Sequence, residues 1–180
     1  MKKLITASFI TASLATASYA DSFLDYLGFG LALQDVSSPN FDHGTAVVIN
    51  GGKSLYQGIG LEFEGTASVQ KMEGTFNGIT DEIDFWSIGM YSTYIWNLGN
   101  LSVKPRLGLV YDSIKTDISI NSPKVAVPGV NYTASDKSGV GLSAGIGLAY
   151  QLSESYNVYT NYTRMEDDID HLTFGAEFKF

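Results

Sequence analysis

The chain has 180 residues, a formal net charge of −8, 44% hydrophobic residues, 13% aromatics, 19 glycines and no cysteine. The acidic balance leaves no basic surface to gather phosphates, which excludes nucleic acid as an expected partner; the missing cysteines exclude disulfides, thiolate chemistry and cysteine-ligated metals. Length sets an expectation of one domain, and beyond the first residues no run of about 18 apolar residues offers a membrane-spanning helix.

The first twenty residues read as an export signal. Lys2 and Lys3 form a positive start, residues 4–15 an apolar stretch thinned by Ser and Thr, and Ser18, Tyr19 and Ala20 a small-x-small cleavage site. About a dozen moderately apolar residues are too few to anchor the chain across a bilayer. Residues 1–20 are therefore expected to be removed, leaving residues 21–180 as one domain, two charges more acidic than the whole chain.

From Leu27 onward the sequence alternates with period two, the signature of strands with one apolar face. Leu27, Phe29, Leu31 and Leu33 share one face and Gly28, Gly30, Ala32 and Gln34 the other. The pattern returns at Ile59, Leu61, Phe63, Gly65 and Ala67, opposite Gly60, Glu62, Glu64 and Thr66. It recurs at Leu101, Val103, Pro105, Leu107, Leu109 and Tyr111, against Ser102, Lys104, Arg106, Gly108 and Val110. Its longest copy runs from Val140 to Leu152, and its last sets Leu172, Phe174, Ala176, Phe178 and Phe180 against His171, Thr173, Gly175, Glu177 and Lys179. Three weaker segments, 45–53, 84–96 and 157–164, bring the expected total to eight strands; the faces of the first are not assignable. Connections alternate between short turns (53–58, 97–100, 153–156) and longer polar loops (36–43, 69–82, 113–137), with the short acidic segment 165–169 on the longer-loop side. That alternation is the form of an outer-membrane barrel.

A soluble eight-stranded barrel turns its large apolar residues inward and its charges outward. Here the face opposite the apolar stripe is Gly, Ala, Ser and Thr, which suits a narrow interior rather than a solvated exterior. The expected fold is an all-β, eight-stranded antiparallel up-and-down transmembrane β-barrel, with the apolar stripe on lipid and closure satisfying the backbone. Aromatics gather near strand ends, where interfacial belts belong: Tyr26, Tyr94, Trp96, Tyr150 and Phe180 toward the short turns, Trp86, Tyr111 and Tyr162 toward the long loops.

At the C-terminus, Thr173, Gly175, Phe178 and Phe180 match polar-x-Gly-x-x-apolar-x-Phe, which resembles the terminal signal by which bacterial outer-membrane barrels are recognised for assembly. With the export signal and eight strands, the region 21–180 resembles the small outer-membrane β-barrel family that includes the membrane domain of outer-membrane protein A and outer-membrane protein X. The resemblance implies a Gram-negative outer-membrane location, outer-membrane lipids and lipopolysaccharide as surroundings, handling by periplasmic chaperones and the barrel-assembly machinery, and a monomer. The larger members' peptidoglycan-binding segment is not expected after Phe180, and cell-wall anchoring is not carried over.

The inward face gathers three acids, Glu62, Glu64 and Glu177, and three bases, Lys104, Arg106 and Lys179. Burying one ionised group alone costs several kcal/mol, so mutual pairing is expected: Glu62 or Glu64 with Lys104 or Arg106, Glu177 completing the network. The consequence is a plugged lumen. A narrow porin-like channel for small solutes is the alternative reading of the same charges. A lipid-modifying enzyme is the second alternative, because His171 and Thr173 resemble the His-x-Ser pair of lipid A deacylases; both share the inward parity, away from a lipid substrate, so no catalytic set is expected. Glu166, Asp167, Asp168 and Asp170 lack the glycine and distal glutamate of a helical calcium loop and read as a solvated tip, so neither a metal nor a cofactor is expected. Residues 113–137, with Pro123, Pro128, Val125, Val127, Val130 and Tyr132, are the candidate contact region. The resulting expectation is an envelope scaffold whose loops make external contacts in adhesion, defence or membrane integrity.

Overall fold

The computed structural model describes residues 23–36, 42–76, 79–120, 135–165 and 169–180. The export segment 1–20, the acids Glu166, Asp167 and Asp168, and Pro123, Val125, Val127, Pro128, Val130 and Tyr132 lie outside them. Ten strand segments follow in chain order: β1 (Tyr26–Val36), β2 (Gly44–Tyr56), β3 (Ile59–Gln70), β4 (Met72–Phe76), β5 (Ile79–Tyr94), β6 (Trp96–Leu98), β7 (Leu101–Ile120), β8 (Ser135–Gln151), β9 (Tyr156–Met165) and β10 (Ile169–Lys179). Because β4 continues β3 past Lys71 and β6 continues β5 past Ile95, these segments make eight ribbons. Each pairs antiparallel with its neighbours, and β1 pairs with β10 from Tyr26 opposite Lys179 to Val36 opposite Ile169, which closes the barrel.

Closure leaves no strand edge in the hydrocarbon, so the backbone is satisfied between strands and the side chains sort by parity alone. Leu31, Ile88, Leu107, Leu142 and Phe174 are exposed on the outer wall, while their sequence neighbours Ala32, Ser87, Arg106, Ser143 and Thr173 are buried. The same rule assigns the segment whose faces the sequence left open: Val47 and Ile49 point out, Ala46, Val48 and Asn50 point in.

The short turns are tight. Gln57 and Gly58 join β2 to β3 with φ of 47° and 86°, the left-handed pair that a two-residue hairpin requires to match strand twist. On the other rim the wall is taller than the sequence suggested. Residues 69–82 are not a long loop, because β3 runs to Gln70, β4 spans Met72–Phe76 and β5 begins at Ile79. Residues 113–137 likewise include the ends of β7 and β8. The physical reason is on the inner face, where Met72, Ile83 and Phe85 bury their side chains and hold this height as paired strand. Lys71, at the break between β3 and β4, bonds Glu82 of β5 at 3.0 Å.

Inside, the barrel has two floors. Toward the short turns the lining is ionic and amide-rich. Toward the long loops Met72, Ile83, Phe85, Tyr91, Val110, Met165 and Ile169 form one buried apolar cluster with Ile114 against it, beside the buried polar Gln34, Ser87, Asp112 and His171. Glycines make room where large groups meet in so narrow a section. A Cβ on Gly108 would stand 2.8 Å from the Cα of Tyr91, whose ring fills the lumen at that level.

Candidate functional site

The charged floor is assembled by parity mostly from strands that are not neighbours, its ion pairs joining β7 to β3 and to β10. Glu62 and Glu64 descend from β3, Lys104 and Arg106 from β7, Glu177 from β10, Tyr26 from β1 and Thr163 from β9, so the ion pairs cross the lumen instead of running along the wall. Glu62 is 0% exposed, Arg106 3% and Glu177 4%, and at such burial an unpaired charge would be costly.

Arg106 Nη1 lies 2.8 Å from Glu62 Oε1 and 2.6 Å from Glu64 Oε2, and its Nη2 lies 3.3 Å from Glu64 Oε1. This is the forked geometry that guanidinium offers a carboxylate. The remaining Nη2 hydrogen donates to Thr163 Oγ1. Lys104 Nζ donates to Glu62 Oε2 at 2.5 Å and to Glu177 Oε1 at 3.3 Å. Asn157 Nδ2 donates to the other oxygen of Glu177 at 3.3 Å. Each cation also rests on an aromatic face, Lys104 Nζ 4.8 Å from the Tyr26 ring centre and Arg106 Cζ 4.4 Å from that of Tyr91.

Two sequence expectations fall differently. Tyr26 does not belong to the outer aromatic belt: it is 8% exposed, and its hydroxyl donates to Glu62 and accepts from Lys104 Nζ at 3.2 Å. Nearness to a strand end suggested the belt, but its parity is that of Gly28, which faces inward. Lys179 does share the inward parity yet stands one row too low to reach the network. It lines a cavity of about 310 Å³ at the short-turn mouth with Lys104, Glu177 and Asn157, and no ion pair among the described residues includes it. The network therefore holds three acids and two bases.

The other belt aromatics lie on the outer wall: Trp86, Tyr94, Trp96, Tyr111, Tyr150 and Tyr162 are all exposed, and the Trp86 and Tyr111 rings stand 5.6 Å apart. In the terminal strand Thr173 is buried in the lumen, Gly175 shares its parity, and Phe178 and Phe180 are exposed with their rings 5.2 Å apart. His171 and Thr173 are each 1% exposed, and the exposed positions beside them are Leu172 and Phe174. His171 Nε2 accepts from the Gln34 amide at 3.1 Å, Gln34 Oε1 accepts from Ser68 Oγ at 2.7 Å, and Phe85 sets its ring edge-on to the imidazole at 5.2 Å. His43 Nδ1 is 3.6 Å from Asp35 Oδ1 on the loop side, and Asp170 is half-buried.

Sequence reading missed the apolar floor. Val110 was visible on the inward face, but Met72 and Ile83 fell in a segment too polar on average to read as strand. The inner amides Asn50 and Asn161 and the inner Tyr91 and Tyr159 were also unread; once the partner face of each strand is fixed, parity would have found them.

An antiparallel ribbon closed at eight strands, apolar outside and bridged by ion pairs within, defines a transmembrane barrel of the bacterial outer membrane. The chain belongs to the outer membrane protein beta-barrel domain family, whose profile matches residues 4–180. Among solved structures it is similar to OprG from Pseudomonas aeruginosa, with 14% identity, 86% of this chain and 94% of that one covered, and a TM-score of 0.66. It is similar also to neisserial surface protein A, NspA, with 15% identity, 86% and 96% covered and a TM-score of 0.63. A third is Ail, the attachment invasion locus protein of Yersinia pestis, with 13% identity, 86% and 97% covered and a TM-score of 0.57. Ail has also been crystallised in complex with the heparin analogue sucrose octasulfate. At these identities the likeness is one of fold. No curated protein matches the chain in sequence.

Proposed function

We propose that the protein is a non-conducting, non-enzymatic scaffold of the outer membrane whose loop-bearing end makes contacts outside the cell. The observation that carries this reading is the cross-lumen network of Glu62, Glu64, Lys104, Arg106 and Glu177, which fills the narrow section with bonded side chains. With the interior occupied by its own partners, the surface left for recognition is the tall rim of β4, β5, β7 and β8.

The chemistry of that rim narrows the partner. Around the whole loop-bearing end, Asp35, Asp42, Glu73, Glu82, Asp84 and Asp170 outnumber Lys71, Lys115, Lys137 and Arg164 among the described side chains. Such a field repels polyanions and favours a neutral or basic partner surface, so a sulfated ligand of the kind bound by Ail is not expected here. The same reading includes cleavage after Ala20, a surrounding of outer-membrane lipid and lipopolysaccharide, delivery by periplasmic chaperones and the assembly machinery, and a monomeric state.

A deletion strain tested in parallel for surface attachment, serum survival and antibiotic permeability discriminates the readings. Loss of attachment or survival with unchanged permeability supports the scaffold. A permeability change, with steady conductance of the purified protein in planar bilayers, supports the channel instead, and acyl release lost on His171→Ala supports an enzyme.

A further inference from the structure

The ionic network is one charge short of neutral, because Lys179 stands outside it, and on its turn side a cavity reaches up to Lys104 and Glu177. The network's side chains are bonded to one another across the narrow section, which makes this floor one barrier. On the loop side the lumen changes character. Met72, Ile83, Phe85, Val110, Met165 and Ile169 meet from five ribbons, with Met72 and Phe85 each 0% exposed and Ile169 2%. Gln34, His171, Ser87 and Asp112 are buried at the same height, so the constriction is mainly apolar, and what closes it is large side chains that leave a hydrated ion little room.

We propose that the lumen carries two independent barriers in series, an apolar collar on the loop side and the ionic network on the turn side, and that ions cross only when both are opened. This rests on the closed-barrel reading and divides its labour. Each barrier blocks ions by itself, the collar by large apolar side chains and the network by bonded charges that span the lumen. Tyr91 joins the two, its ring packed in the collar and under the Arg106 guanidinium, its hydroxyl 3.3 Å from Ser143 Oγ.

The test is planar-bilayer recording of four purified proteins in concentrated potassium chloride: the unaltered chain, the charge-balanced pair Glu64→Ala with Arg106→Ala, the collar pair Phe85→Ser with Ile169→Ser, and all four changes together. Protease resistance in vesicles reports whether each has folded. The expected result is a protein-free baseline for the first three and discrete conductance steps for the fourth. Steps from either pair alone overturn the proposal, as does silence from a folded fourfold variant. Steps from the unaltered chain instead overturn the closed-barrel reading, so the two failures are distinct. Should the fourfold variant not fold, Phe85→Ala on the Glu64→Ala, Arg106→Ala background carries the same comparison, with the same outcomes.

Discussion

Arg106 bonds Glu62, Glu64 and Thr163, and its removal leaves Glu64 buried without its counter-charge and Glu62 with Lys104 alone. Arg106→Ala is therefore expected to destabilise the barrel by about 3–5 kcal/mol in urea unfolding from vesicles, the usual cost of breaking a buried pair. Glu64→Ala in the same chain should recover part of that loss, a coupling that a double-mutant cycle measures. Tyr26→Phe keeps the ring beneath Lys104 but deletes the hydroxyl shared with Glu62, and roughly 1.5–3 kcal/mol is expected for a hydrogen bond lost to a charged acceptor that Lys104 still holds. Parity made the residue-scale pattern legible, since period-two alternation states which side chains share a face. It does not state depth. That is why Lys179 read as a network member although it sits at the mouth, and why Tyr26 read as a belt residue although its hydroxyl is the keystone of the ionic floor.

At the scale of the elements, close approach and end-fixing decide what the strands tolerate. Gly108→Ala sets a methyl against the backbone of Tyr91, which cannot retreat while β5 and β7 stay paired, and a cost of roughly 1–3 kcal/mol is expected. The segment before β1 is tied down by Asp25, whose carboxylate accepts from Lys53 Nζ at 2.8 Å and from the Ser54 amide at 2.7 Å. The Lys53 bond, helped by Ser54, holds the Asp25 carboxyl below its ordinary range. A depressed carboxyl stabilises above its unfolded pKa and loses that contribution as pH falls through the folded one. The N-terminal segment should therefore become more open to protease on acidification through the range below that of ordinary carboxylates, and Asp25→Asn should remove that pH dependence. The strands themselves were readable where one face was continuously apolar. They were underestimated at the loop end, where β4 and the start of β5 bury apolar side chains inward and carry polar ones outside, reversing the pattern of the membrane section.

For the whole molecule, the account turns on which side of the wall meets hydrocarbon. Leu107, 61% exposed near the middle of the membrane section of β7, should tolerate Ala but lose about 2–4 kcal/mol on substitution by Arg, the depth-dependent cost of a charge facing lipid. Fold and orientation were legible together because a glycine-rich face with paired charges fits no soluble exterior, whereas the height of the rim depends on pairings that alternation alone does not reveal. The absence of cysteine allows a direct measurement: Leu142→Cys, Leu148→Cys and Phe174→Cys, each carrying a fluorophore, read in vesicles with quenchers in the lipid chains or in the water. Strong quenching from the chains at all three sites, with little from aqueous iodide, is the predicted result. Ready quenching by iodide with none from the lipid would contradict the orientation, and with it the sealed ionic interior.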